Sequence, residues 1–379
     1  MNASSDPTIL QVAEAFHPQG SIRGISPLGS GNVNDTYLVE SDGGLSVLQR
    51  INTAVFERPQ LVMHNLQRLG DHMAAKLHTN PAWLQGRRWQ HPQLLHPRLG
   101  EDSWHRCSNG GFWRSLSFVA GAHSVDVISD GRQAIELGRG LGLFHRLISD
   151  LPVEQLEDTL EGFHIAPRYL AAYRHALVHS QRDSSEAGRY CVAFIREREG
   201  LVPLLEDAKR RGVLHLRPIH GDPKINNVML DSHTGEAVAL VDLDTVKPGL
   251  VHTDIGDCLR SCCNRQGEET RDWPSVQFDL ELAEAILRGY LEASGGLLSA
   301  AEIALLPDAT RLISLELGLR FFTDHLNGNV YFKARHPDHN LERALVQFQL
   351  TASIEAQMDD LRQLVAQLAG QSHTLNALP

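Results

Sequence analysis

The stretch HGDPKINNVMLD, from His220 to Asp231, gathers a carboxylic acid, an imidazole, a lysine and two asparagines into one short segment. His220, Asp222 and Asn227 keep the spacing H-x-D-x-x-x-x-N of a phosphoryl-transfer loop, in which the aspartate accepts the proton of an attacking hydroxyl and the asparagine holds magnesium. The spacing has a mechanical reason: an irregular loop lets Asp222 face an acceptor while the Asn227 amide turns back toward a metal, with the strand-like VML that follows anchoring both. Lys224, between them, either steadies the transferring phosphoryl oxygens or faces solvent. Further on, ALVDLDTVKPG ends an apolar strand on Asp242, where the second metal-holding carboxylate of such a site belongs. Asp244 either helps the metal or hydrogen-bonds in the turn.

A nucleotide tail needs a second wall. PLGSGNVNDTYLV places Gly29, Gly31 and Asn32 in a turn between two strand-like runs, where backbone N–H groups can approach phosphate oxygens without side-chain obstruction. The next strand carries VLQR, and its Arg50 is either a phosphate-gripping cation or a surface charge. A cleft near residues 118–121, with Phe118 and Val119, is the expected seat of ATP.

These residues need elements to position them. SIRGISPL, TYLVE and LSVLQRI read as three antiparallel strands separated by turn signals. A helix follows in RPQLVMHNLQRLGDHMAAKL, with Pro59 just inside its start and apolar residues near helical spacing. FWRSLSFVAGAHSV gives a further strand running into a bend at Ala120 and Gly121. From Gly131 onward long helical patterns dominate, among them SEAGRYCVAFIREREGLVPLLEDAKRRG, SAAEIALLPDATRLISLELGLRFF and NLERALVQFQLTASIEAQMDDLRQLVAQL. Ser299 and Glu302 form a capping box. Only residues 213–249 interrupt the helices, with the pattern of a small hairpin. The expectation is an α+β, two-lobed chain: a small antiparallel sheet lobe over residues 1–120 and a large, mainly helical lobe over residues 121–379.

The bulk numbers narrow the partners. The chain has 379 residues, enough for two lobes, and 42% hydrophobic with 21% charged residues is an ordinary globular composition. A net charge of −11 has the wrong sign for tracking a nucleic-acid backbone, so an anionic ligand would need a local metal ion or a focused set of donors. MNASSDPTIL lacks a secretory pattern and no apolar run reaches the length of a membrane span, which makes the cytoplasm the expected address. Cys258, Cys262 and Cys263 lack a second ligand pair and read as buried thiols rather than a zinc site. Oligomeric state leaves no mark in the sequence.

HGDPKINNVMLD and VDLDT together resemble the aminoglycoside phosphotransferase and choline kinase superfamily. Through GSGNVNDTYLV, VLQRIN, VDLDTVKPGL, HTDIGDCLR and LGLRFFTDHLNGNVYFKARHPDHNLERA the chain looks most similar to its N-acetylhexosamine 1-kinase branch. The resemblance implies a protein-kinase-like fold and transfer of the γ-phosphoryl group of ATP, with Mg²⁺, to a sugar hydroxyl, the anomeric one of an N-acetylhexosamine. It implies Asp222 as base, Asn227 and Asp242 as magnesium ligands, Thr245, Arg320 and Tyr331 at the acceptor, and Asp254 as a buried brace of the catalytic loop. Choline or ethanolamine, homoserine, methylthioribose and aminoglycosides are the alternative acceptors, and a catalytically silent binding module the alternative class. One departure stands out. Protein kinases pair a third-strand lysine with a helix glutamate, but PQLVMHNLQRLGDHMAAKL contains no Glu.

Overall fold

The computed structural model describes residues 7–17, 20–29, 33–98, 100, 102–179 and 185–376. It opens with helix α1 (Pro7–Phe16) and continues into strands β1 (Ile22–Pro27), β2 (Asp35–Ser41) and β3 (Gly44–Ile51), then helix α2 (Pro59–His78), strands β4 (Leu94–Leu95), β5 (His105–Arg106) and β6 (Phe112–Ser117). These strands form one antiparallel sheet in the order β1-β2-β3-β6-β4, with β5 also on β6. Strand side chains alternate between faces. Val39, Leu48 and Trp113 therefore pack outward against Ile9, Val12 and Phe16 of α1, while Ile51 and Phe112 point inward to the core under α2.

Strand β7 (Ala122–His123) leaves this sheet and pairs instead with β9 (Val228–Asp231), which also pairs with β10 (Ala237–Leu240). Between them come α3 (Gly131–Ile148), α4 (Ala166–His179), α5 (Glu186–Arg198), α6 (Leu204–Arg210) and β8 (Arg217–Ile219). After β10 follow β11 (Lys247–Gly249), paired with β8, and helices α7 (Val251–Cys262), α8 (Leu280–Ser294), α9 (Ala300–Ile303), α10 (Leu306–Leu326), α11 (His339–Ala356) and α12 (Met358–Asn376). The small antiparallel sheet set against a mainly helical region is the expected α+β, two-lobed, kinase-like architecture.

Three expected helices are each divided. Pro203 has no N–H to continue the run from Ser185, so α5 ends in a short 3₁₀ turn before α6. Pro307 sits in the first turn of α10 and separates it from α9, whose Ser299–Glu302 capping box is complete. Gln357 separates α11 from α12. Helices α1 and α4 were not singled out in the sequence reading.

One close approach positions the site. A Cβ at Gly138 would lie 1.9 Å from the carbonyl oxygen of Ile286, and one at Gly289 2.1 Å from that of Ile135, so only glycine lets α3 and α8 touch backbone to backbone. That contact brings His145 of α3 to the Tyr290 hydroxyl of α8, Nδ1 to oxygen 2.9 Å. Cys258, Cys262 and Cys263 are buried on and just after α7 as free thiols.

Candidate active site

The loop after β8 is fixed from beneath. Asp254, in the first turn of α7 and fully buried, accepts the backbone N–H of His220 at 2.7 Å and of Gly221 at 2.9 Å. Behind it His145 Nε2 lies 2.9 Å from the same carboxylate. Burial opposes ionisation of Asp254, but the hydrogen bond and charge of His145, joined by the backbone N–H of His220, outweigh it and hold the carboxyl below its usual range. Gly221 has φ +88°, and a Cβ there would lie 2.7 Å from the Thr245 carbonyl oxygen, so the turn ahead of Asp222 requires glycine.

The His220 ring joins the two motifs. Its Nε2–H donates to the Val241 carbonyl at 2.9 Å, which leaves Nδ1 to accept the Asp222 N–H at 3.2 Å. This neutral tautomer agrees with burial, which lowers the ring's pKa. Asn227 Nδ2 donates to the Asp222 carbonyl at 2.7 Å, and Val241 N–H donates to the Asn227 carbonyl at 2.9 Å. Asp222, Asn227 and Asp242 thus come together at one place. Lys224 Nζ lies 2.9 Å from Asp222 Oδ2, and the charge of Asp222, then that of Asp242, raises the lysine's pKa.

Asp242 takes the left-handed backbone conformation, φ 62°, and is exposed on one side. On its remaining sides burial, followed by the charges of Asp244 and Asp222, pushes its pKa up to about 6. A carboxylate short of compensating charge beside a carboxamide suits a magnesium ion, which keeps much of its water and takes only one or two carboxylates from protein. Among the described residues no three His, Cys, Asp or Glu side chains cluster as a metal site. Asp244 does not join Asn227 and Asp242. Its side chain is buried between Asn34 Nδ2, 2.6 Å from Oδ2, and the guanidinium of Arg114, which pairs with Oδ1.

On the sheet side the Arg50 expectation is corrected. Arg50 stands opposite Trp113 on the outward face with Leu48, exposed and close enough to Cys107 for its charge to act on that thiol. Its neighbour Gln49 faces inward instead, opposite Arg114. Gly29 sits exposed at φ +71° after β1, while Gly31 and Asn32 lie outside the described residues. Phe118 and Val119 join β6 to β7. Val119 packs on Val238 and Ala239 with the half-buried Met229 and Val241, an apolar patch that runs directly into Asn227 and Asp242.

On the other side of the catalytic loop, Arg320 of α10 lies among four rings, with its guanidinium carbon 5.1 Å from the Phe163 centroid, 4.9 Å from Tyr169, 5.9 Å from Tyr331 and 5.3 Å from Phe332. It is also close enough to Asp222 to feel its charge. Arg320 and Tyr331 thus share one cluster, within range of the Asp222 charge at Arg320. Thr245 sits on the loop's underside, its hydroxyl donating to the His220 carbonyl at 2.8 Å. His164 bridges the region: Nε2 meets the Gly221 carbonyl and Nδ1 the Glu316 carboxylate, each at 2.8 Å. The loop bearing Tyr331 is gathered by Asp324, whose carboxylate accepts the N–H groups of Val330, Tyr331 and Phe332 at 2.8–3.0 Å. A groove of about 500 Å³ opens between this loop and Asn52 of the sheet region. Phe163, His164, Tyr169, Asp324, Gln49 and Arg114 had no role in the sequence reading. Gln49, Arg114 and Asp324 fall inside quoted stretches without an assigned role, the other three lie in no such stretch, and only the fold brings the six to the site.

The architecture is shared with solved phosphotransferases and kinases. An aminoglycoside phosphotransferase from Alicyclobacillus acidocaldarius superposes with a TM-score of 0.63 at 15% identity, covering 97% of this chain and 98% of that one. A microcompartment-associated aminopropanol kinase gives 0.60 at 17%, covering 94% and 98%. A spectinomycin phosphotransferase in complex with ADP and spectinomycin gives 0.55 at 11%, covering 93% and 98%. Residues 24–302 match the phosphotransferase enzyme family, APH, and the chain belongs to that family.

Proposed function

We propose that this phosphotransferase is an ATP- and Mg²⁺-dependent small-molecule kinase that phosphorylates a sugar hydroxyl, the anomeric hydroxyl of an N-acetylhexosamine, as the sequence resemblance implies. The observation that carries the reading is the meeting of Asp222, Asn227 and Asp242 at one place, with a lysine on Asp222. The division of labour follows the fold, with residues 1–120 and the 118–121 connection on the nucleotide side and residues 121–379 supplying the catalytic loop and the acceptor side. The spectinomycin phosphotransferase was solved with ADP and its antibiotic, which supports nucleotide and small-molecule partners here.

Asn227 and Asp242 would hold the metal, whose charge neutralises the phosphate oxygens when bound. Asp222 orients the attacking hydroxyl and takes its proton. In a loose transition state little proton removal precedes bond breaking, so positioning accounts for most of the acceleration. Lys224, paired with Asp222, lies where it can follow charge onto the transferring group. Asp242 needs its ionised form to bind the cation, and a pKa near 6 keeps that form dominant at neutral pH.

The acceptor class follows from Arg320. The ring cluster of Phe163, Tyr169, Tyr331 and Phe332 could receive an ammonium group, but a guanidinium already stands in it. Choline, ethanolamine or an aminoglycoside would bring like charge to that place, whereas hydroxyl and amide oxygens find a donor. The test is ATP consumption over a panel of hexoses, N-acetylhexosamines and amino alcohols, with phosphorus NMR of the product. Turnover confined to sugars, with a new anomeric phosphate, is the expected result; turnover confined to amino alcohols overturns the acceptor assignment, and no consumption with any acceptor overturns the kinase assignment.

A further inference from the structure

The missing helix glutamate poses a physical question: what ties the sheet to the metal-holding loop? Arg114 of β6 is only 1% exposed, on the inward face of the sheet. Its Nε and Nη2 donate to Gln49 Oε1 at 2.9 and 2.7 Å, and Nη2 also pairs with Asp244, two residues beyond Asp242. Asp244 in turn accepts from Asn34, and Asn34 Oδ1 accepts the N–H of Asn52 at 2.9 Å. Three sheet segments and the metal-holding loop thus meet at one buried ion pair. An arginine so deeply buried is stable only while its charge is countered, and here Nε and Nη2 carry all of its side-chain contacts while Nη1 has no hydrogen-bond partner among the described residues. Gln49 is neutral and keeps the fork aimed, so Asp244 is the sole counter-charge in direct contact with Arg114 among the described contacts.

We infer that Arg114, aimed by Gln49 and locked to Asp244, is the positioning residue that sets the Asp242 loop against the sheet. The inference rests on the nucleotide reading proposed above. It assigns to this chain a cross-strand pair, β3 Gln49 with β6 Arg114, in place of a strand-to-helix pair. Nucleotide and metal binding then depend on a residue that need touch neither.

Binding of Mg²⁺·ADP by calorimetry, paired with thermal melting, tests this without an acceptor. Arg114→Lys keeps the charge and loses the fork, and Gln49→Glu offers the fork a competing carboxylate. Each should weaken Mg²⁺·ADP binding about tenfold or more. Should either single variant fail to fold, the double variant Arg114→Gln/Asp244→Asn leaves no unpaired buried charge, should fold, and should show the same weakening. Folded variants that bind Mg²⁺·ADP as wild type does, whether or not their melting temperatures fall, overturn the inference alone. Wild-type protein that binds no Mg²⁺·ADP overturns the nucleotide reading and the inference with it.

Discussion

Two buried aspartates do the same mechanical job on opposite sides of Asp222, in unlike surroundings. Asp254 lies in the first turn of α7, where the helix dipole favours a carboxylate, and it is backed by His145 and, beyond it, Tyr290. Asp324 lies in the last turn of α10, where the dipole disfavours a carboxylate, and its support consists of three loop N–H groups and the Asn340 amide. The loop under Asp254 is buried at His220 and Gly221. The loop on Asp324 ends in an exposed rim, with Val330 78% and Tyr331 47% accessible. The difference separates two needs. The proposed catalytic geometry is built into the core, while the proposed acceptor wall is tied down at its base and exposed at its edge.

Substitutions can break that contrast. Asp254→Ala should have the largest effect, losing about 3–5 kcal/mol of stability by stranding two buried N–H groups and His145, with most turnover lost as well; thermal melting and kcat report both. Asp324→Ala should be milder in stability, about 1–3 kcal/mol, and selective in kinetics: acceptor KM should rise about tenfold while ATP KM stays put. Equal damage to both KM values would show that Asp324 supports the whole fold rather than the acceptor wall.

A pH titration sharpens the same division. The Asp242 pKa is raised, so in the metal-free protein this group favours the folded state most at low pH, and that contribution is lost as pH rises from the ordinary carboxylate range through about 6. Metal binding runs the other way, because the cation needs the ionised form. Mg²⁺·ADP affinity should fall about tenfold per pH unit below about 6, with an accompanying proton uptake on release visible by calorimetry in buffers of different ionisation enthalpy. Arg50→Ala should do least, within about 0.5 kcal/mol in stability and without change in ATP KM, since Arg50 lies on the outer face.

The proposed catalytic loop and Asp242 stand out in the sequence because their pattern is local: a fixed spacing, a glycine turn and a strand that ends on a carboxylate. The sheet's inner wall does not. Reading Arg50 into the cleft was an error of one residue, and in a strand one residue exchanges the faces. The true inward cation, Arg114, reaches a carboxylate 130 positions away, and no spacing rule announces such a pair. The ring cluster around Arg320 had a similar history: Arg320 and Tyr331 came from the resemblance, while Phe163 and Tyr169 precede them by more than a hundred residues and join only when α10 packs beside the catalytic loop. The helix breaks at Pro203 and Pro307 were available from the sequence, since proline cannot extend a helix already begun.

The most direct measurement compares chemistry with binding in Asp222→Asn, which keeps the side chain's size and removes its proton-accepting charge. Turnover of ATP with the preferred acceptor should fall about 10²–10⁴-fold while Mg²⁺·ATP binding persists. Near-normal turnover in that variant would contradict the assignment of Asp222 as the base.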